Sequence, residues 1–558
     1  MAISQPTNLS ATSQRVEPRL SINAAEGRFY GFVILGLMLV IWAPIVFAFV
    51  TAPPDRQFMG VIDGVPDHNQ YFAWMRSFTQ ANLAANRLTP EVNEPAFFNL
   101  LWWATARLSV ITGISYITAY TILRLIAILS LLGSLLIFLP LINDHSRQRQ
   151  IAFWLICTGS GLGVIWIVVK YLAGLPEAPF PISIYTVEPN TLAIMQAFPH
   201  FTMALALIIT IFSLMLLAWQ RKQSRYAVAA GIVGAVLALQ HAYDLLIVYG
   251  ALGLFGLLIW WRDRRFPTLL FQQGVILAIF SAPGALYLAY LVTSEPTWGR
   301  KLDQFDNAGV FTPNPALLVI LLGVPLILAL AGLRRQMFRS NDDREIFLVS
   351  WFVIHFALMY LPLKFQIHML LGLQVPMMLL AARFIDERLI PRLRQRGRTA
   401  LVVGMIAVFG LSMVTNVYIQ SWRFVYLSRY EQPHYLTNDE IAALQWLQRH
   451  TTINDVTLAE IEFGQFVPVW SDARAYLAHW AGTLDFFVKR DNVRIVLDPT
   501  TPPEQRRQIL TEFDVSYVVM RDKDGSRQAF QQQSSEDVQV VYENETVTIY
   551  RVIALRDR

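Results

Sequence analysis

Over the first 420 positions apolar residues come in long runs separated by shorter polar stretches. The runs lie near residues 29–51, 115–142, 151–173, 200–219, 226–241, 243–261, 268–292, 315–333, 345–363, 366–385 and 399–419. Most are long enough to cross roughly 30 Å of hydrocarbon. Only helices or closed barrels satisfy backbone polar groups in lipid, so the pattern predicts an α-helical polytopic membrane protein with about eleven transmembrane helices. Run 226–241 is short for a span and should meet its successor at a tight turn. The first run follows a polar tail, residues 1–28, and is too long for a signal-peptide core, so it reads as an uncleaved anchor.

Beyond the last run the period changes. Thr437-Asn-Asp-Glu440 caps an amphipathic stretch at 440–449. Strand-like runs follow at 455–459, 493–497, 516–520, 537–542 and 546–553, with a helical stretch at 503–512. Three parts are therefore expected: the tail, a transmembrane part over 29–419 and an α/β domain over 420–558. The long loop 52–114 carries Tyr71, Trp74, Met75 and Phe78 at i, i+3, i+4 and i+7, the spacing of a helix lying in the membrane interface. Phe97, Leu101 and Leu108 suggest a second one. No internal repeat of 20–50 residues stands out.

Composition agrees with this picture and excludes a string of soluble domains. Hydrophobic residues make up 54% and charged residues 15%, against roughly 45–50% and 25% in ordinary globular chains. The one cysteine, Cys157, rules out a disulfide framework and any multi-cysteine metal site. The net charge of +5 is sorted by loop and does not form a nucleic-acid patch. Alternate loops, from Arg15, Arg19 and Arg28 through Arg262–Arg265 to Arg388–Arg398, hold 20 Lys and Arg, whereas the intervening loops hold 7. The positive-inside rule then makes the N-terminus cytoplasmic and the C-terminal domain extracytoplasmic, in a chain integral to the cytoplasmic (inner) membrane.

The less basic loops carry the candidate chemistry. Asp67 sits just before the first interfacial stretch, where a carboxylate is held near the membrane surface, and is the candidate catalytic base. Asp63, in Ile-Asp-Gly, shapes a turn or contacts substrate. Glu94 precedes a proline and either opens the second interfacial helix or binds substrate. Glu188 and His200 bracket the segment EPNTLAIMQAFPH, and His241 lies with Tyr243 and Asp244 at the turn between two short runs. Arg124 falls inside a run, where a cation is costly and should face an acid, a cavity or a phosphate. Lys364, Arg300 and Lys301 are cations of two further loops on that side, suited to phosphate or anionic headgroups. His479 and Trp480 lie in a polar loop of the α/β domain, where an aromatic suits sugar stacking or an interface. His355, mid-run, is expected to pack neutrally.

These residues resemble the glycosyltransferase C superfamily of polytopic enzymes that take sugars from polyprenyl-phosphate carriers. The resemblance rests on the acidic opening Pro66-Asp67-His-Asn-Gln-Tyr71, the interfacial Glu94-Pro-Ala-Phe-Phe-Asn99 and Arg124 early in the next span. An uncharacterised bacterial branch adds D-x-x-x-Y-x-A-x-M-R, here Asp67–Arg76, with Pro199-His200-Phe201 and a trailing domain holding Ala478-His479-Trp480-Ala-Gly-Thr483. Trp260-Trp261 is followed by Arg262 on the basic side, so the Trp-Trp-Asp of oligosaccharyltransferases is missing from the other side, as is an Asp-x-Asp pair. The resemblance implies sugar transfer from a polyprenyl-phosphate donor in the membrane to an unidentified acceptor, with inversion. Asp67 would be the base, and Tyr71 with the acids and histidines above would form the substrate site. Lys364, Arg300, Lys301 and Arg124 would receive the phosphate. No cofactor is demanded, and a divalent metal stays open. A transporter or lipid flippase with an outer gate would instead pair ionisable groups mid-span and show inverted repeats, and a non-catalytic scaffold would not need the acidic interfacial loop.

Overall fold

Several helices begin where the sequence supplies a capping oxygen. The Asn23 side chain accepts from Glu26 N–H, Asn99 from Leu101 and Trp102, Ser115 from Thr118, and Asn190 from Ala193. The computed structural model describes residues 22–308, 311–521, 530–532, 534 and 536–553. Arg15 and Arg19, counted in the basic tail, lie outside the described residues. The helices are α1 (Ala24–Val50), α2 (Val65–Gln80), α3 (Leu100–Thr112), α4 (Tyr116–Ile142), α5 (Ser146–Thr158), α6 (Gly163–Leu172), α7 (Thr191–Ala197), α8 (Pro199–Arg221) and α9 (Ser224–His241). They continue as α10 (Leu245–Asp263), α11 (Thr268–Ser294), α12 (Pro296–Asp303), α13 (Leu318–Gly332), α14 (Asp343–Leu358), α15 (Gln374–Phe384), α16 (Ile390–Gln395) and α17 (Arg398–Leu427).

The chain is an integral, multi-pass membrane protein. Among the described residues eight helical segments are long and apolar enough to cross a membrane, or nine if α5 and α6, bent by 56°, form one span. The eleven apolar runs lie largely in helices, but this measure counts α9 and α10 once, and α14 has only 16 residues. The chain does reverse at 242–244: Trp219 near the end of α8 and Arg262 near the end of α10 both bond Asp343, at 2.8 and 2.7 Å. The start of α9 and the end of α10 therefore lie on one side.

Breaking α5 from α6 inside the bundle frees backbone groups that lipid cannot satisfy. Neighbouring helices satisfy them. Ser160 N–H donates to Ser412 O at 2.7 Å and Leu162 N–H to Ile320 O at 2.8 Å, while Thr415 Oγ1 donates to Gly161 O at 2.7 Å. A Cβ at Gly161 would lie 2.2 Å from Leu321 O, so the break needs glycine to close against α13.

Past α17 the chain builds the smaller layer. Strand β1 (Arg56–Phe58) of the first long loop pairs antiparallel with β2 (Tyr435–Thr437), stitching that loop to the start of the domain. A five-stranded sheet follows from β3 (Val456–Leu458), β4 (Arg474–Ala475), β5 (Tyr517–Arg521), β6 (Val538–Glu543) and β7 (Val547–Val552), in the order β4-β3-β5-β7-β6. The capping box at Thr437 and Glu440 opens a helix over Asn438–His450, and a helix spans Pro503–Glu512. The strand expected at 493–497 is instead the end of a helix, Phe486–Leu497. Phe486, Val493 and Val496 are its buried side, and this helical face outweighs the strand preference of the run Val493–Leu497.

The domain is seated on the first long loop. Ala475 N–H donates to Arg87 O at 2.9 Å, Asn86 Nδ2 to Gly482 O at 2.8 Å, and Leu484 N–H to Thr89 Oγ1 at 3.1 Å. Phe72, Trp74 and Phe78 of α2 share one apolar core with Leu444, Phe466 and Ile549 of the domain.

Candidate functional site

Helix α2 starts on Gly64, in the left-handed region at φ 58°, where an added Cβ would sit 2.7 Å from Phe198 Cζ. Pro66 and Asp67 fill the first turn, where a carboxylate is favoured by the helix dipole. Asp67 faces the domain loop Ala478–Thr483, and its Oδ1 lies 2.9 Å from His479 Nε2. The Asp67 side chain is 30% exposed, while the His479 side chain, at 2%, is enclosed.

The loop is closed around that ring. Thr483 Oγ1 accepts from the N–H groups of Ala478 and His479 and donates to Leu88 O. His479 Nδ1 faces the N–H groups of Ala481 and Gly482 at 3.1 and 3.0 Å. Both are donors, so Nδ1 is the acceptor and the ring proton sits on Nε2, pointing at Asp67. Burial alone would raise the Asp67 pKa, but the His479 donor, with a contribution from Trp480, holds it below its usual value. Burial lowers the His479 pKa despite the pull of Asp67. The pair is a carboxylate beside a neutral imidazole.

The face of α2 that carries Asp67 continues through Gln70, Tyr71 and Trp74. Lys301 arrives from α12, donates from Nζ to Gln70 Oε1 at 2.5 Å, and lies 4.4 and 5.0 Å from the ring centres of Trp74 and Trp298. Burial brings its pKa down to about 7 against the pull of Asp67. Gln304, just past α12, donates to Ala481 O and Thr483 O at 3.1 and 2.9 Å, so Lys301 and the His479 loop are fixed to each other. Tyr71 stacks on Trp102, 4.6 Å between centroids, and its hydroxyl lies 3.4 Å from His200 Nε2. The opposite face, with Asn69, Phe72 and Arg76, lines a separate cleft of about 450 Å³ that Asp67 does not reach.

From His200 a buried polar and aromatic cluster extends into the bundle. The rings of His200 and His241 are 5.4 Å apart, and His241 lies between Asp244 Oδ2 at 2.7 Å and the Tyr243 hydroxyl at 2.8 Å. Tyr243 stacks on His368, whose Nδ1 lies 2.5 Å from Glu188 Oε1. The structure thus brings Asp67, His479 and Lys301 together, and links Tyr71 to His200, His241 and Glu188.

Asp63 is engaged elsewhere. Its carboxylate takes two donors from Arg423 of α17 and the Tyr426 hydroxyl, and Arg423 also bonds Gln196. Arg124 lies near this cluster, buried between the ring faces of Tyr120 and Trp42, and among the described residues its three guanidinium nitrogens have no partner within hydrogen-bond geometry. Asp63→Asn should leave the 3%-exposed Arg423 uncompensated. Because Asp63 keeps some solvent contact, we expect a loss near the low end of the about 3–5 kcal/mol typical of broken buried pairs. Thermal unfolding in detergent checks this; an unchanged midpoint would remove the structural role.

The remaining expected residues are placed apart. Glu94 is exposed on the surface. Arg300 pairs with Asp485 at 2.7 Å and Lys364 with Asp306, both in exposed pairs. Trp480 is the exception and stays beside the pair: its ring centre lies 4.9 Å from that of His479 and its side chain helps hold the Asp67 pKa down. The ring also meets Phe305 edge to face at 5.6 Å, and the Trp480 carbonyl accepts from Asn307. His355 is buried, with Nδ1 2.6 Å from Met369 O. Sequence reasoning missed His68, clamped between Gly64 O at 2.7 Å and Ala197 O at 2.9 Å, and missed Gln70, His368 and Arg423. His68 carried a signal, since it adjoins Asp67. The others find their partners across 180 to 360 residues of sequence. Among the described residues no group of three or more His, Cys, Asp or Glu is placed to hold a metal.

No protein-family model matches the chain, and no curated protein matches it in sequence. Solved structures do match in shape. The oligosaccharyltransferase of Archaeoglobus fulgidus, tethered to an acceptor peptide, is 12% identical with a TM-score of 0.55, covering 88% of this chain and 69% of its own. The mycobacterial arabinofuranosyltransferase AftD is 14% identical at 0.54, over 96% of this chain and 40% of its own. ArnT of Cupriavidus metallidurans, bound to undecaprenyl phosphate, is 11% identical at 0.50, over 95% of this chain and 99% of its own. An archaeal oligosaccharyltransferase structure holds zinc and sulfate. At these identities the likeness establishes a fold shared with these proteins and no more.

Proposed function

We propose that this chain, which has the fold of membrane glycosyltransferases, transfers a sugar from a polyprenyl-phosphate carrier to an acceptor hydroxyl, inverting the anomeric centre. The observation that carries the reading is the juxtaposition of an ionised Asp67 and the buried amine of Lys301, on two short helices beneath the α/β domain. Asp67 takes the acceptor proton as the acceptor oxygen bonds to the anomeric carbon. The carbon–phosphate oxygen bond breaks on the opposite face, and polyprenyl phosphate leaves with the electron pair. That leaving group needs positive charge more than a proton, and Lys301 supplies it. Arg124 is a second candidate, since a buried guanidinium without a partner favours an anion. Tyr71, half-buried and backed by the enclosed Trp102, is the aromatic side chain suited to meet the sugar.

The His479 ring beside Asp67 is not a ligand for a divalent ion. Nδ1 of His479 is occupied by two backbone N–H groups and Nε2 carries the proton, so the ring has no lone pair left for a metal. No step is therefore routed through one. Purified protein incubated with polyprenyl-linked sugars should release polyprenyl phosphate and form a glycosylated product, read by mass spectrometry. Envelope extracts of a deletion strain should accumulate the charged carrier. No product from a broad donor pool, with substrate movement across vesicles instead, would favour a transporter.

The orientation belongs to the same proposal: residues 420–558 outside, loop 387–398 inside. The native Cys157 is buried, so engineered cysteines report cleanly. In intact cells an impermeant maleimide should label Gln505→Cys and spare Gln395→Cys. The opposite pattern would invert the topology.

A further inference from the structure

We infer that His479 is a positioning residue: a neutral imidazole locked as the Nε2–H tautomer by two backbone N–H groups, whose one task is to aim and hold the Asp67 carboxylate. The inference rests on the proposed transfer reaction and assigns the residue a role distinct from sugar stacking, proton acceptance or metal binding.

The lock is built from the backbone. Ala481 and Gly482 present consecutive N–H groups to Nδ1, and protonating that nitrogen would set an N–H against two donors. Gly482 eases the approach, because a Cβ there would lie 2.7 Å from Leu88 Cδ1, 3.1 Å from Leu88 Cβ and 3.3 Å from the Cβ of His479. Asn86 and Gln304 brace the same turn from the first long loop and from the segment after α12. Every anchor of the ring thus comes from an element already packed at the site. A ring that can neither gain a proton at Nδ1 nor lose one at Nε2 at ordinary pH cannot relay the acceptor proton onward. It leaves the proton to the Asp67 carboxylate, whose Oδ1 is the oxygen that His479 holds.

The groups facing this pair are Lys301, whose charge opposes protonation of His479, and His68, next to Asp67 on α2. Neither bonds the ring. The electrostatic setting therefore supports a neutral His479, and the loop geometry fixes where its proton sits.

Nitrogen NMR on histidine-labelled protein in detergent, assigned with His479→Gln, tests the tautomer without any turnover. One pyrrole-like Nε2 and one pyridine-like Nδ1 from pH 6 to 8 are expected; an imidazolium, or a proton on Nδ1, would overturn the lock. His479→Ala should lower kcat about 10- to 100-fold, the worth of one hydrogen bond to a charged group, with donor KM little changed. It should also move the acid limb of the rate profile to higher pH, because Asp67 loses the donor that favours its charged form. His479→Gln keeps an N–H donor at similar reach and should recover much of the loss with the limb near its original place. A limb unmoved in His479→Ala, while unfolding midpoints match, would reduce the residue to packing. If wild-type protein shows the predicted tautomer but transfers no sugar, the transfer reading fails and the lock stands.

Discussion

Asp67→Asn should abolish most sugar transfer, lowering turnover by about 10²–10⁴, the usual worth of general-base assistance. The fold should survive. Asparagine keeps an oxygen where His479 Nε2 donates at 2.9 Å, so the contact that seats the domain loop persists. Donor binding should persist on the acid side of the profile, because Lys301 stays held by Gln70 and two tryptophans, while its loss of charge moves to lower pH without the pull of Asp67. The informative comparison is with Asp63→Asn, five residues from the end of β1. Its carboxylate is spent on Arg423 and Tyr426, so that variant should lose stability while the folded fraction keeps near-normal turnover. Transfer and donor affinity measured separately on both proteins decide the matter. Near-normal turnover in Asp67→Asn with a dead but folded Asp63→Asn would move the base to Asp63. Full activity in both would take this loop out of the chemistry.

How far the sequence reached depends on the range of the interaction that fixes each feature. Helix α2 was readable because Tyr71, Trp74, Met75 and Phe78 state its period locally, and Trp74, Met75 and Phe78 are buried as that face requires. The capping box at Thr437 is local as well. The segment Val493–Leu497 misled for the same reason in reverse. A short β-branched run looks like a strand until Phe486, one side of the helix earlier, is buried with it. Asp67 and His479 could each be picked out, but they are 412 residues apart, and no spacing rule announces that one nitrogen meets one oxygen. In sequence Lys301, beside Arg300, and Lys364 looked alike as cations of the less basic loops. Lys301 is enclosed by Trp74 and Trp298, whereas Lys364 meets Asp306 in solvent, and only the packing separates them.

That enclosure makes Lys301 the residue whose titration should limit the reaction on the alkaline side. Burial lowers its pKa from the ordinary 10.5 to about 7, with Asp67 pulling the other way. Below that value the amine is an ammonium able to meet a phosphate; above it the charge is lost and only a neutral donor remains. kcat/KM should therefore fall as pH rises through about 7, since this parameter reports the free enzyme. A bound phosphate favours the charged amine, so the same limb in kcat should lie at higher pH. Lys301→Met should lower kcat/KM about 10- to 100-fold, the value of a charge-assisted contact, and flatten the alkaline limb. Lys301→Arg keeps its charge throughout, so it should also lose the limb, although the larger planar group fits the space between the indoles less well. The acid limb, set by Asp67, should stay in place in Lys301→Arg, which keeps the charge, and move to higher pH in Lys301→Met, which removes it. A wild-type profile level from pH 6 to 9, or an alkaline limb that survives Lys301→Arg, would show that the leaving phosphate is met by another cation, with Arg124 the next to test.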